Sequence, residues 1–415
     1  MSATTESAVS TTLTSFAALR RNRDFRLLWY GQATSEFGSA VAVLATPLLA
    51  VALTGSELLA GLVGTVGFLA MWLAQIPGGY TADMFDRRRV MLWCDGARAG
   101  LIGLFAVSLV LDVATIWWLF ALSTATSVLS VFFGAAQGQA VRQIVAREQI
   151  PEAVGITKAR ASAIAMVGPS VGGALFAVGR AVPMVVDALS FLGSMAFVYR
   201  IRTPLRPENQ PAVTRLLPDL GKGWSTLWRN PFLRAQAIYS TVTNITVSVL
   251  MYLLIIGHAD DSALLGVSVA IAAGGGVIGS LAAPFVQRTM SLRTILVAVA
   301  VIRGAVLLAV TWQSSTISLA IALATVMLVG PAANAALAAA QILLVPADVY
   351  GRASSTTAFI SSALLPLAPF SAGLLLYTFT PAVAQLTVAA GFAGVALVAA
   401  AVPGLTFRPG QAGES

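Results

Sequence analysis

The chain has 415 residues, of which 57% are hydrophobic and only 10% are charged, and its mean hydropathy is +0.84. Soluble globular proteins carry charge on about a quarter of their residues, so this composition excludes an ordinary soluble domain and predicts a protein embedded in lipid. The formal net charge is +8, but basic residues in a membrane protein report topology, and we expect no nucleic-acid partner. One cysteine, Cys94, and one histidine, His258, exclude an intramolecular disulfide and a Cys/His metal site, and we expect no cofactor.

Apolar runs long enough to cross a membrane recur along the whole chain. A bilayer core about 30 Å thick requires about 20 apolar residues of helix. About twelve such runs occur, at 25–52, 58–82, 91–111, 114–141, 155–178, 181–199, 231–256, 263–287, 293–312, 316–343, 352–377 and 381–402. The sequence therefore predicts an all-α, multi-pass membrane protein with twelve transmembrane helices.

The longest interruption divides these runs into six plus six. It is too polar and too rich in proline to cross a membrane. Arg98 in the third run and Arg303 in the ninth occupy corresponding places, which indicates an internal repeat; we expect two six-helix bundles related by a pseudo-two-fold axis, a transporter architecture. The predicted segments are a disordered cytoplasmic tail at 1–24, an N-terminal bundle at 25–200, a cytoplasmic central loop at 201–230, a C-terminal bundle at 231–402 and a cytoplasmic tail at 403–415.

Basic residues predict the topology, because Lys and Arg near the ends of spans are retained on the cytoplasmic side. They precede the first run and follow the even-numbered runs; examples are Arg20, Arg89, Arg142, Lys158, Arg160, Arg288 and Arg408. The opposite junctions carry mainly acidic residues. We expect both termini in the cytoplasm and the protein in the cytoplasmic (inner) membrane, with these arginines contacting anionic lipid rather than substrate.

The segment after the second run, 79–89, reads GYTADMFDRRR. It resembles the G-x-x-x-D-R-x-G-R-R signature of major facilitator superfamily transporters, and the resemblance extends over about residues 20–405. The positions that match are Gly79, Asp83, Arg87 and Arg88, whereas Met84 and Asp86 depart from the signature. The resemblance implies a gating role, in which an acid at a helix end pairs with arginines or a helix dipole and latches one conformation.

A second motif lies in the fifth run, where Gly168, Pro169, Gly172 and Gly173 form G-P-x-x-G-G. It resembles the drug-export signature of proton antiporters, and such residues let helices approach and bend, although ordinary glycine-rich packing explains them too. The stretches 25–29 and 187–192 are similar to the branch that includes macrolide-efflux proteins and the enterobactin exporter. Export is therefore favoured over uptake.

Ionisable residues inside the runs are costly, so each is a candidate functional group. Glu36 lies roughly 16 Å into the first run, near mid-membrane, and is the leading proton-coupling candidate, because a carboxyl in a low-dielectric site readily takes up a proton. The alternatives for Glu36 are a static pair with Arg98 or a lipid-exposed position. Asp187 is the second proton-coupling candidate, with hydrogen bonding to a neighbouring helix as its alternative.

Other polar groups have structural alternatives as well. Asp95 and Arg98 are three residues apart and are interpreted as a structural or gating pair. Arg303 belongs either to the substrate cavity, where it favours an anionic substrate, or to a gating network. The remaining cavity candidates are Tyr30, Gln32, Gln137, Tyr239, Asn244 and Asn334, each of which also suits helix–helix hydrogen bonding.

These features favour a proton-coupled exporter of an amphipathic organic compound such as an antibiotic or drug. The alternatives are an exporter of siderophores or other anionic metabolites, an uncoupled facilitator, and a sensor on the same scaffold. No nucleotide-binding loop or hydrolytic motif is present, so we expect no enzyme activity and no ATP hydrolysis. The expected partners are a small-molecule substrate, protons and the lipid bilayer, and the expected unit is a monomer.

Overall fold

The computed structural model describes residues 19, 21–146, 149–206, 224–225, 227–259, 262–312, 315–345 and 347–401. The C-terminal tail predicted at 403–415, most of the N-terminal tail and the middle of the central loop lie outside these residues. So do several of the basic residues used for topology, including Arg20 and Arg408.

Long helices account for nearly all of the described chain. They are α1 Arg23–Thr54, α2 Glu57–Met84, α3 Arg87–Val110, α4 Ile116–Ile144, α5 Ile150–Val178, α6 Val182–Tyr199, α7 Pro231–Gly257, α8 Ser262–Thr289, α9 Leu292–Val310, α10 Thr316–Leu344, α11 Ala347–Ser362, α12 Leu367–Thr378 and α13 Pro381–Ala401. Within the described residues, 12 helical spans are long and apolar enough to cross a membrane, and no strand occurs. The predicted all-α membrane fold is confirmed.

The eleventh span is broken into two helices, which the apolar pattern does not indicate. Between α11 and α12 the backbone follows tight turns, with Leu365 N–H donating to Ser362 O at 3.1 Å and Leu367 N–H donating to Leu364 O at 3.0 Å. Pro366 lies in this break and directly precedes α12. Because proline has no N–H to donate, it suits the start of a helix and disrupts a helix interior.

Polar caps fix where several spans begin. The Asp86 carboxylate accepts from the N–H groups of Arg88 and Arg89 at the start of α3, and the Asn230 side chain accepts from two N–H groups at the start of α7. Ser291 caps α9, and Ser315 forms a capping box with Ser318 at α10. These caps satisfy N–H groups that a helix leaves free at its first turn.

The chain packs into two compact units, residues 1–46 with 66–211 and residues 47–65 with 212–415. The segment Pro47–Thr65 groups with the second unit, although it precedes the central loop in the sequence. Within that unit, the Thr65 hydroxyl accepts from the Phe370 N–H at 3.0 Å, and a Cβ placed on Gly373 would lie 2.5 Å from Glu57 O. Close contact with α12 explains why this segment groups with later helices.

Each unit has its own tightly packed helices. In the first unit, α3 packs mainly against α6 and α4, around a buried cluster that includes Met91 and Phe133. In the second unit, α8 packs mainly against α10 and α9 against α13. A Cβ on Gly275 would lie 2.6 Å from Ala324 O, so the absence of a side chain at that position allows α8 and α10 to approach closely.

Candidate transport site

Glu36 on α1 forms an ion pair with Arg160 on α5. Arg160 Nη2 donates to Glu36 Oε1 at 2.8 Å, and Arg160 Nε donates to Glu36 Oε2 at 3.1 Å. Arg160 Nη1 also donates to the backbone carbonyl of Trp29 at 3.0 Å, and the guanidinium lies 5.5 Å from the centre of the Trp29 ring. The Arg160 side chain is 3% exposed and that of Glu36 is 38% exposed. The carboxylate is therefore reachable, whereas its partner is enclosed.

Two expectations from the sequence are wrong here. The alternative partner considered for Glu36 was Arg98, but the structure pairs Glu36 with Arg160. Arg160 was assigned to a cytoplasmic junction and to lipid contact, yet α5 begins at Ile150, which places Arg160 about 15 Å along the helix. The predicted fifth run, 155–178, already contained Arg160, and this position inside the run is the signal that could have located it.

A cavity of about 770 Å³ lies beside this ion pair, between α1, α5 and α6 of the first unit. Most of its wall is apolar, and Arg160 is its charged lining residue. The aromatic rings that line it are those of Trp29, Tyr30, Phe37 and Phe197. Trp29 and Tyr30 meet edge to face with ring centres 5.2 Å apart. This volume falls within the range of cavities that hold drug-sized ligands.

The G-P-x-x-G-G motif brings α5 against α1 close to the ion pair. A Cβ on Gly168 would clash with the Ala40 side chain, and a Cβ on Gly172 would clash with the backbone carbonyl of Val41. Both glycines are buried, as is Pro169. The motif therefore permits the close approach that sets the α1–α5 spacing at which Glu36 and Arg160 meet.

A second charged group, which we call the acid–arginine cluster, comprises Asp95, Arg98 and Asp187. Arg98 Nη1 lies 3.8 Å from Asp95 Oδ1, and Arg98 interacts electrostatically with both acids. Asp187 accepts a hydrogen bond of 3.4 Å from the Ser39 hydroxyl. The three residues are at most 5% exposed. The structure thus joins a predicted gating pair to a predicted proton-coupling residue.

The rest of the acid–arginine cluster's environment is apolar or small. The guanidinium of Arg98 lies over the rings of Phe133 and Phe191, at 5.4 and 5.0 Å from their centres. A Cβ on Gly38 would clash with Ser190 and lie 2.9 Å from Asp187 Oδ1. Gly38 therefore lets α6 carry Asp187 directly against α1.

The signature after the second span forms a hydrogen-bonded network at the α2–α3 junction. Among the described residues, Asp83 forms no direct ion pair with an arginine. The side-chain amide of Gln139 donates to the Asp83 carboxylate and accepts from Arg87 Nη2 at 3.1 Å, so Gln139 bridges the two signature residues. Arg87 Nε also donates to Ala82 O at 3.1 Å, and Arg88 donates to the backbone carbonyl of Tyr199. Gln139 was missed because it lies outside the signature.

The two neighbouring glycines of α2 differ in their surroundings. A Cβ on Gly79 would meet nothing within 4 Å, whereas a Cβ on Gly78 would lie 2.8 Å from the Val131 side chain. Close helix approach in this part of α2 therefore occurs at Gly78 and not at Gly79.

Arg303 lies buried in the second unit. Its Nε and Nη2 donate to the backbone carbonyl of Val326 at 3.3 and 3.2 Å, and it lies 5.7 Å from the centre of the Phe392 ring. Tyr239 is near enough to interact with it electrostatically. A Cβ on Gly330 would lie 2.5 Å from Arg303 Nη2, so Gly330 makes the room that the guanidinium occupies.

The remaining cavity candidates are divided between the two units. Tyr30 lines the cavity of the first unit, Gln32 is buried on the same helix, and Gln137 is half-buried on α4. In the second unit, Asn244 donates to Ser361 O at 3.0 Å and the Asn334 side chain is exposed. Among the described residues, no group of three His, Cys, Asp or Glu side chains is arranged to hold a metal ion.

Comparison with known proteins decides the family. The model of the Major Facilitator Superfamily matches residues 28–369, which is most of the chain. The chain belongs to the major facilitator superfamily. This membership makes it a membrane-embedded protein of a transporter family with a small-molecule substrate.

Curated relatives lie in the drug-exporter branch. The chain is 27% identical over 292 residues to the multidrug efflux pump Tap of Mycolicibacterium fortuitum, an alignment that covers 66% of this chain and 70% of Tap. It is 23% identical over 223 residues to macrolide efflux protein A of Streptococcus pyogenes, covering 52% of this chain and 54% of that protein. The chain therefore matches only about half of the macrolide efflux protein. The predicted resemblance to exporters is confirmed.

Solved structures of transporters share the fold at low sequence identity. A bacterial homologue of the human lysosomal transporter Spinster, in an inward-facing and occupied conformation, matches with a TM-score of 0.71 and 14% identity, covering 92% of this chain and 96% of that one. A POT family transporter in complex with 5-aminolevulinic acid matches with a TM-score of 0.70 and 12% identity, covering 93% of this chain and 97% of that one.

Proposed function

We propose that this protein exports an amphipathic organic compound across the cytoplasmic membrane in exchange for protons. The observation that carries the proposal is the aromatic cavity between α1, α5 and α6, with the Glu36–Arg160 ion pair at its side. Four aromatic rings supply apolar contact area, and the ion pair supplies a polar group that orients a ligand. The relatives named for multidrug and macrolide efflux support export of such compounds.

The ion pair suits a substrate that carries a cationic group. The Glu36 carboxylate is 38% exposed, so an ammonium group bound near the rings competes with Arg160 for it. Competition loosens the link between α1 and α5, which couples substrate binding to movement of α5. Because Arg160 already balances the charge of Glu36, we assign Glu36 to the substrate and Asp187 to proton coupling.

A second candidate function is export of an anionic amphiphile, such as a siderophore. Arg160 is the charged residue in the cavity wall, and an anionic group on the ligand would compete with Glu36 for it. In either case the protein acts as a transporter rather than an enzyme, as a monomer with both termini in the cytoplasm.

The test is accumulation in everted membrane vesicles under an imposed pH gradient. The panel is ethidium and erythromycin, which are cationic, and carboxyfluorescein, which is anionic. Tyr30→Ala and Glu36→Gln are expected to lower uptake of the transported compound at least fivefold. The matched controls, Tyr377→Ala on an exposed face of α12 and Glu57→Gln at the start of α2, are expected to keep it.

The charge of the compound that accumulates selects between the two substrate classes. Wild-type uptake that does not depend on the pH gradient would identify a facilitator and contradict the proposed proton exchange. Equal uptake by the cavity variants and their controls would remove the cavity from the transport path.

A further inference from the structure

The acid–arginine cluster holds two carboxylates and one guanidinium in a site closed to solvent. Asp95 is 0% exposed, and Arg98 and Asp187 are each 5% exposed. If every group is ionised, one negative charge is left without a partner. A buried carboxylate without a compensating charge is costly, whereas its protonated form is neutral. The cluster is therefore balanced when its two acids carry one proton between them.

No other charged group of the described residues supplies the balance. The titratable groups that act on Arg98 are Cys94 and Asp95 from its own helix and Asp187 from α6. A cysteine thiol is neutral at ordinary pH. The groups facing the cluster from α1, α4 and α6 are the hydroxyls of Ser39, Ser190 and Ser194 and the rings of Phe133 and Phe191. The Ser39 hydroxyl donates to the Asp187 carboxylate and the Ser190 hydroxyl donates to the Asp187 backbone carbonyl, and none of the three hydroxyls carries a charge.

An independent observation is that the guanidinium is not held in place by hydrogen bonds. Arg98 Nε and Nη2 are buried without a hydrogen-bond partner among the described residues. The nearest contact of Nη1 with Asp95 is 3.8 Å, beyond hydrogen-bonding distance. By contrast, Arg160 makes three hydrogen bonds of 2.8 to 3.1 Å. Arg98 therefore has two unused donors, and both carboxylate oxygens of Asp95 are likewise buried without a hydrogen-bond partner among the described residues.

We infer that Asp95 and Asp187 together form the proton-binding site, sharing one transported proton, while Arg98 pairs with whichever carboxylate is ionised. This inference rests on the proposed proton exchange and names the groups that perform it. The proton binds a carboxylate from the outer side and leaves toward the cytoplasm, while substrate moves outward. Loss of the proton leaves two ionised acids around Arg98, a state that burial disfavours and that opening of the site to water relieves.

If the two acids share one proton, neutralising either of them should have the same effect on proton-coupled transport. Converting either acid to the neutral amide leaves one carboxylate permanently paired with Arg98, with no charge left for a proton to neutralise. Asp95→Asn and Asp187→Asn should therefore have the same phenotype, although the residues lie on different helices. A purely structural role would give unequal losses that track stability.

The experiment uses the full-length protein in proteoliposomes and radiolabelled erythromycin or ethidium, whichever the wild type accumulates in vesicles. Two modes are measured, namely accumulation driven by a pH gradient and counterflow, in which labelled substrate exchanges for unlabelled substrate without net proton movement. Both amide variants are expected to lose at least tenfold in driven accumulation and to keep counterflow within about twofold. Asp112→Asn, on an exposed turn outside the spans, is the matched control.

Ser39→Ala provides a second test of the same site in case the two amide variants fail to fold. It removes a hydroxyl that donates to ionised Asp187 at 3.4 Å, so the proton should be held more tightly. The pH at half-maximal driven transport should then rise by about 0.5 unit, the low end for one hydrogen bond, because the 3.4 Å contact is long. An unchanged midpoint, or driven accumulation by Asp95→Asn or Asp187→Asn at the wild-type level, overturns the inference and leaves proton exchange standing. Absence of driven accumulation in the wild type for every panel compound overturns the proposed function instead.

Discussion

Arg160 binds both carboxylate oxygens of Glu36, at 2.8 and 3.1 Å, and so joins the middle of α5 to the middle of α1. Bidentate pairing fixes the relative rotation of two groups as well as their distance. Because the third hydrogen bond of Arg160 goes to the Trp29 carbonyl, the arginine also holds the aromatic wall of the cavity. One side chain thus connects cavity shape to helix position.

Removing Arg160 should cost more than removing the whole pair. Arg160→Gln leaves Glu36 without its cation and is expected to lower the free energy of unfolding by about 1–3 kcal/mol. This loss is smaller than the about 3–5 kcal/mol expected when a fully buried ion pair loses one partner, because Glu36 is partly exposed. The double variant Glu36→Gln with Arg160→Gln should recover part of this loss. Thermal melting in detergent completes the double-mutant cycle, and strictly additive losses would show that the two residues do not interact.

The glycine contact between α5 and α1 predicts opposite effects for the same substitution at two sites. Gly→Ala raises helix propensity by about 0.8–1 kcal/mol wherever there is space. At Gly155 a Cβ meets nothing within 4 Å, so Gly155→Ala should be neutral or stabilising. At Gly172 the Cβ would clash with the Val41 carbonyl. Because this carbonyl belongs to the backbone of α1, it cannot move as a side chain would, so Gly172→Ala should lower the melting temperature. Melting curves of the two variants check this, and a rise in both would refute the close contact.

The bridge made by Gln139 predicts a change in turnover rather than in substrate affinity. Gln139→Leu keeps the volume but removes the link between Asp83 and Arg87. If the signature latches one conformation, its loss should reduce the maximal transport rate at least threefold and leave KM within about twofold. Gln143→Leu is the control, because Gln143 donates to the Arg206 carbonyl instead. A raised KM with an unchanged maximal rate would point to substrate binding.

The architecture was largely predictable from the sequence, because hydrophobic length and charge pattern act locally along each span. The twelve spans and the family were predicted in this way. Glu36, Asp187, the signature at 79–89 and the G-P-x-x-G-G motif were recognised individually, because each can be identified from its residue types and its place in the sequence. The break before Pro366 and the assignment of 47–65 to the second unit depend on packing with α12, which no single segment reveals.

The sequence did not predict which residues contact each other in the folded chain. Arg160 was interpreted as a topology signal because it lies near the start of the predicted fifth run, and the earlier start of α5, at Ile150, places it further along the helix. Gln139 is an ordinary polar residue until the α2–α3 junction folds against α4. Asp187 and Asp95 are far apart in sequence, and the glycine at position 38 is what lets α6 come close enough to α1 for Ser39 to reach Asp187. These pairings are tertiary, so residue type and spacing do not encode them.

Gly330 and Arg303 provide the last prediction. Arg303 donates two hydrogen bonds to the Val326 carbonyl, a neutral acceptor. The guanidinium fits there because Gly330 has no side chain. Gly330→Ala should push the guanidinium from this carbonyl and leave a buried cation short of acceptors, a loss of about 1–3 kcal/mol that outweighs the gain in helix propensity. Gly274→Ala, where a Cβ meets nothing within 4 Å, is the control. A Gly330→Ala protein that melts at or above the wild-type temperature would show that the Arg303–Val326 contact contributes nothing to stability, and would leave the guanidinium free to serve a substrate.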